Sequence, residues 1–256
     1  MKLKKIASLA LAGVMAMSML AGCSTASVQP EPTPDDDTTT QVDYGTMLWN
    51  NLDEGKKNIT FQANSTLDSN LKAAVGYLGS LGIYESYWLG DTIVEVNTDG
   101  IKKDLYHVNP EVGGVDQIIH VKLADSLKGV ARRLSDLTGA ANKALDVTST
   151  NFDDMEAVLN EIKPNNVVDK TDDDITAVAL YVVDGSVEIE AALEQAARDL
   201  DEVFMDLDYS GTNTIQGKEY VYKYTGSVSV ASKSITKDGA NVNFIAVQVD
   251  RTTVQR

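Results

Sequence analysis

The sequence predicts an α+β fold: a mostly antiparallel sheet, covered on one face by three to four helices and finished by a C-terminal β-hairpin. Three patterns carry that expectation. Apolar residues step by four and three through Leu123, Leu127, Val130, Leu134, Leu137, Ala141 and Ala144, and again through Ile189, Leu193, Ala196, Leu200, Val203 and Leu207. Each set falls on one face of a helix. Residues 175–183, ITAVALYVV, form an apolar run rich in β-branched side chains, as a buried strand requires. Residues 218–231 and 242–249 alternate with period two on either side of Lys237-Asp238-Gly239-Ala240, the pattern of a long hairpin.

Before these elements comes a different kind of sequence. Lys2, Lys4 and Lys5 precede residues 6–20, which carry no charge and many small side chains. That run is shorter than the ~20 apolar residues of a membrane span and matches the core of a signal peptide. Leu20-Ala21-Gly22-Cys23 then resembles the lipobox of bacterial lipoproteins, a resemblance confined to residues 1–23. It implies cleavage before Cys23 and a diacylglycerol on its thiol. The chain would then be held at the extracytoplasmic face of the cell membrane. Each buried acyl methylene adds about 0.8 kcal/mol to membrane residence, so two or three chains anchor firmly. Cys23 is the sole cysteine, so the exported part can contain no intramolecular disulfide, thiolate nucleophile or thiolate metal site. Residues 23–43 hold Pro30, Pro32 and Pro34, three of the chain's five prolines, with almost no large apolar residue. Such a segment cannot bury enough surface to order itself and reads as an extended tether. The organisation is therefore a signal peptide (1–22), a lipid-anchored tether (23–43) and a globular domain (44–256), with a weaker break at residues 109–114, NPEVGG.

Within the domain, residues 44–57 read as a short helix with Met47 and Leu48 at its buried end. Ile59, Phe61 and Ala63 alternate as a short strand. Ser65 and Asp68 have capping-box spacing before a stripe of Leu67, Leu71, Ala74, Leu78 and Leu81. Gly76, Gly79 and Gly82 recur every third residue there, a cost to the helix of about 1 kcal/mol each, expected to be offset by close packing against a neighbour. Residues 91–97 and 102–108 flank Asn97-Thr98-Asp99-Gly100, whose Asp-Gly suits a tight hairpin. Residues 118–123, IIHVKL, read as a strand. A helix over 152–162 stops before Pro164, and Asp184-Gly185-Ser186 precedes the last long helix, on which Glu194 and Arg198 make an i,i+4 pair.

Charge narrows the function. Acids outnumber bases 38 to 22, a net charge of −16. Without the three signal-peptide lysines the formal charge reaches about −19. That argues against nucleic acid, which selects a basic footprint. Walker, GxSxG, HExxH and Rossmann fingerprints are absent from the sequence. Asp206-Leu207-Asp208-Tyr209-Ser210-Gly211 begins like a calcium loop, with Asp206, Asp208 and Ser210 as oxygen ligands at positions one, three and five and glycine at six. Position twelve, however, is Gly217 and not glutamate. Asp172-Asp173-Asp174 reads as a solvated turn. His107 and His120 are the only histidines and lie among apolar neighbours. Tyr220, Tyr222 and Tyr224 share one strand face and, with Tyr84, Tyr87 and Trp88, could offer an aromatic platform to a glycan or peptide. The expectation is a lipid-anchored, non-catalytic binding or accessory module of the cell envelope, with a peptide, glycan or protein partner. Its rivals are an envelope hydrolase using paired carboxylates and a calcium-dependent adhesion module.

Overall fold

The computed structural model describes residues 43–78, 93–97, 100–104, 115–140, 155–160, 174–213, 217–234 and 241–256. Residues Val42–Arg256 form one compact unit. Its first helix, α1 (Tyr44–Asn51), starts at Asp43. The Asp43 carboxylate accepts from the Thr46 amide at 3.0 Å and the Thr46 hydroxyl at 2.6 Å. The helix is shorter than the sequence pattern implies: Leu52 is already extended, and residues Gly55–Lys57 form a separate 3-10 turn. Asp201 fixes that turn by accepting the amides of Asp53 and Gly55, both at 2.9 Å. Strand β1 (Ile59–Phe61) follows.

Helix α2 (Ser65–Gly76) is capped one residue earlier than its capping-box spacing suggests. Asn64 Oδ1 accepts from Thr66 N at 3.1 Å and Leu67 N at 3.0 Å, so Ser65 is already the first helical residue. Leu67, Leu71, Ala74 and Leu78 are buried as their spacing predicts. Gly76 does not serve close packing, because a Cβ there would meet nothing within 4 Å. Gly79 and Gly82 lie outside the described residues. Strands β2 (Ile93–Asn97) and β3 (Gly100–Asp104) pair antiparallel with Asn97 opposite Gly100, the hairpin expected from Asp-Gly.

Helix α3 (Val115–Thr138) corrects the strand reading of residues 118–123. In the sequence Ile119, Leu123 and Leu127 recur every four residues, so the helical period downstream continues through this segment and prevails over its β-branched composition. The helix ends sooner than its stripe. Gly139 adopts φ +68°, Ala140 N returns to Ser135 O at 3.1 Å, and Ala140 is buried, a Schellman stop. Ala141 and Ala144 lie outside the described residues. After α4 (Met155–Leu159) come β4 (Ile175–Asp184), α5 (Ile189–Met205), β5 (Ser210–Asn213), β6 (Lys218–Ser234) and β7 (Asn241–Gln255).

The sheet runs β1-β6-β7-β4-β2-β3, with β5 also beside β6. Every pairing is antiparallel except β1 with β6. The α+β class, the mostly antiparallel sheet and the C-terminal hairpin are as the sequence predicts. The helices, however, divide between both faces. Ala177, Ala179, Tyr181 and Val183 of β4 join Ile245, Val247 and Val249 of β7 against Leu48 of α1, Leu159 of α4, and Leu193, Leu200 and Phe204 of α5. Their neighbours Val178, Leu180 and Val182, with Phe244 and Ala246, pack against Leu67 and Leu71 of α2 and Leu127, Val130 and Leu134 of α3. Successive strand residues point to opposite faces. An apolar run such as that of β4 thus has no wet side, and a single helical layer would leave Leu180 and Val182 in water. At about 1.5–3 kcal/mol per fully buried large apolar side chain, both layers are needed.

Candidate functional site

The layer of α2 and α3 contains an open groove. Its first wall is the end of α2, where Tyr77 is the C-cap and its amide bonds Ala74 O and Val75 O. The usual glycine terminator is replaced by a side chain from the far end of β6. Lys233 Nζ donates to Val75 O at 3.0 Å, to Gly76 O at 3.3 Å and to Leu78 O. A cation at a helix C-terminus satisfies orphan carbonyls and the helix dipole together. The second wall is α3, tied to α2 by Asn70 Nδ2, which donates to Leu137 O at 3.1 Å.

Between them Tyr77, Leu78, Ser126, Gly129, Val130, Arg132, Arg133 and Asp136 line an open cavity of about 460 Å³. Leu78 and Val130 are buried and form its apolar base. Space lies over Gly129, where a Cβ would meet nothing within 4 Å. The Tyr77 ring is 70% exposed. The guanidinium of Arg133 sits 4.8 Å from its centroid, with only a long 3.5 Å contact from Nη2 to the hydroxyl. Arg133 Nε is shielded from solvent and finds no hydrogen-bond acceptor among the described residues. A buried N–H left so costs about 1–3 kcal/mol. Nor does Arg133 make an ion pair among the described residues. In a chain of net charge −16 that is notable. No family model matches the chain, and no curated protein or solved structure matches it either.

The residues singled out by sequence are placed elsewhere. Asp206 is the C-cap of α5, and Ser210 and Gly211 already belong to β5, opposite Val221 and Tyr220. Gly211 thus pairs in a ladder where a calcium loop would turn. Asn160 grips this stretch: its Nδ2 donates to Asp206 O at 2.7 Å and its Oδ1 accepts from Asp208 N at 2.9 Å. Asn58 Nδ2 donates to Phe204 O at 2.6 Å, and Asn58 Oδ1 accepts from the Tyr209 hydroxyl at 2.6 Å. Two asparagines from other elements therefore cap α5, in place of the expected turn at Gly211. Among the described residues no three His, Cys, Asp or Glu side chains gather as metal ligands.

Tyr220, Tyr222 and Tyr224 do share one face, but it is the inner one. They are only 6–7% exposed and belong to the core with α5. Tyr224 donates its hydroxyl to Asp208 O at 2.7 Å, and the Tyr222 ring lies 4.3 Å from the guanidinium carbon of Arg251. They offer no open platform, because the layer of α1, α4 and α5 covers their face. Asp174 uses a carboxylate oxygen to accept the Thr253 amide at 2.8 Å. Cys23, Tyr84, Tyr87, Trp88, His107, Asp172, Asp173 and the break at 109–114 lie outside the described residues, as does the side chain of His120. Sequence reasoning passed over Tyr77, Arg132 and Arg133. The available signal was the Arg132-Arg133 pair, two of only five arginines in so acidic a chain.

Proposed function

We propose that this chain is a lipid-anchored binding module of the cell envelope, tethered through Cys23 to the extracytoplasmic face of the membrane, with the groove between α2 and α3 as its recognition site. The observation that carries the reading is Arg133: a half-buried cation without an ion-pair partner among the described residues, stacked on an exposed tyrosine over an apolar base. Binding sites commonly combine an apolar base with a few convergent polar groups in cavities of about 300–1,000 Å³. The anchor rests on the lipobox resemblance at residues 20–23. Among the described residues no helix is long and apolar enough to cross a membrane. A carboxylate-pair hydrolase has less support, since among the described residues the lining of the groove contributes one carboxylate, Asp136, beside two arginines.

The test is expression of the full chain in bacteria with labelled palmitate. Label should enter the protein and stay with the membrane fraction, and Cys23→Ala should lose the label. An unlabelled wild-type chain in the cytosol would end the anchoring reading. Retention of an envelope component that is unchanged by Gly129→Leu, which fills the groove, would end the site assignment.

A further inference from the structure

Resting on the groove as the binding site, we infer that its ligand is a carboxylate carried on a short apolar stem, with Arg133 as the partner of the carboxylate. Three features define that ligand. The first is the fork of Arg133. A guanidinium presents planar paired donors that match a carboxylate with two parallel bonds. Here the guanidinium carbon lies 4.8 Å from the Tyr77 ring centroid, so the ring holds the side chain at the groove before an anion arrives. Among the described residues Nη2 has only its 3.5 Å contact to the Tyr77 hydroxyl to give up.

The second feature is charge. Phosphate also fits an arginine fork. A dianion doubles its attraction to the two arginines along with its repulsion from Asp136. Its cost of leaving water, however, rises more steeply than either, so a monoanion is better suited to a cleft with an apolar base. The third feature is the base. Leu78 and Val130 present apolar surface, and Gly129 leaves a gap where a side chain would otherwise stand. An apolar stem over these residues removes more water-exposed hydrocarbon than a polar one. A cavity of about 460 Å³ suits the end of a short peptide or a medium-chain acid.

The experiment is calorimetric titration of the full chain carrying Cys23→Ala with four probes: N-acetyl-leucyl-leucine, its C-terminal amide, hexanoate and inorganic phosphate. At least one carboxylate should bind, and the amide should bind at least about tenfold more weakly, the loss expected for a charged hydrogen bond. Which of the two carboxylates binds more tightly separates a peptide terminus from a simple acid. Arg133→Gln should abolish the preference for carboxylate over amide, and Arg133→Lys should restore part of it. Gly129→Leu should block binding while leaving the helix intact, since leucine is the better helix former. In nitrogen-15 spectra the Arg133 Nε resonance should shift with carboxylate and not with the amide. Equal binding of acid and amide, carboxylate binding that survives Gly129→Leu, or no response to either carboxylate would overturn the inference. Tighter binding of phosphate, blocked by Gly129→Leu, would overturn the ligand class and leave the groove as the site.

Discussion

Each face of the sheet has an arginine beside a tyrosine, and the two pairs have opposite surroundings. Arg251 lies 4.3 Å from the Tyr222 ring, is fully buried, and donates through Nη1 to Leu159 O at 2.7 Å. Arg133 lies 4.8 Å from the Tyr77 ring, which stands 70% exposed at an open groove. The chemistry of the pair is the same. What differs is the cover: α4 and α5 close over the first, whereas α2 and α3 part around the second. A stack sealed from water contributes to holding layers together. A stack at a groove mouth holds a cation ready for something else. Contact chemistry alone therefore does not separate a structural cation from a recognising one; closure of the neighbouring helices does.

The largest expected effect tests the sealed pair. Arg251→Ala should lower stability by about 3–5 kcal/mol, since it leaves a large cavity and strands the Leu159 carbonyl. Arg251→Met should recover part of that by filling the space. Arg133→Ala should cost only about 0.5–1 kcal/mol, the value of an exposed cation–aromatic contact. Chemical denaturation of the three variants measures this. Equal costs at the two arginines would erase the distinction between the faces.

Next in size is packing on the sealed face. Gly226 of β6 lies beneath the Phe61 ring, and a Cβ there would come within 2.5 Å of it. Phe61 in turn meets Phe204 of α5 edge-on, with centroids 6.2 Å apart, so the ring cannot move without disturbing a second aromatic. Gly226→Ala should destabilise by about 1–3 kcal/mol through overpacking. Gly129→Ala, at the open groove, should stabilise by up to about 1 kcal/mol because it improves helix propensity where nothing is in the way. Opposite signs for two glycine-to-alanine changes would sharpen the contrast; a gain at Gly226 would break it.

The Asn160 cap makes a smaller test. Asn160→Ala removes two hydrogen bonds from the 206–208 backbone and should cost about 1–2 kcal/mol. Calcium at millimolar concentration should leave the melting temperature of the wild-type chain unmoved. A rise that disappears in Asp206→Asn would return the calcium-loop reading.

These residues also mark where the sequence was legible. Periodicity found α2, α3 and α5, and alternation found the β6–β7 hairpin, because a helix stripe and a strand face are local patterns. The continuous run in β4 signalled a strand buried on both sides. Its consequence, helices on both faces, depends on contacts distant in sequence, and so does the burial of the β6 tyrosines beneath α5. The caps supplied by Asn58, Asn160 and Lys233 were not legible at all. Asn58 lies 146 residues from Phe204, and Lys233 lies 155 residues from Leu78. The groove shares that problem, since Tyr77 and Arg133 meet only because α2 and α3 pack side by side.

The smallest expected effect separates the two layers by acid. Helix α1, on the sealed side, is capped by Asp43, whereas α2, on the groove side, is capped by the neutral Asn64. The Thr46 hydroxyl, and after it the Thr46 amide, hold the Asp43 carboxyl below its ordinary value of 3.8. A carboxyl with a lowered folded-state value contributes stability that is fully present above its unfolded value and is lost as pH falls through the folded one. Asp43→Ala should thus cost about 1 kcal/mol near neutral pH and progressively less below about pH 4. Asp43→Asn should keep most of the cap and show no such dependence, as Asn64 already does. Hydrogen exchange read along the chain should then show α1 loosening in acid before α2. Loosening of α2 first would place the weaker layer on the wrong side of the sheet.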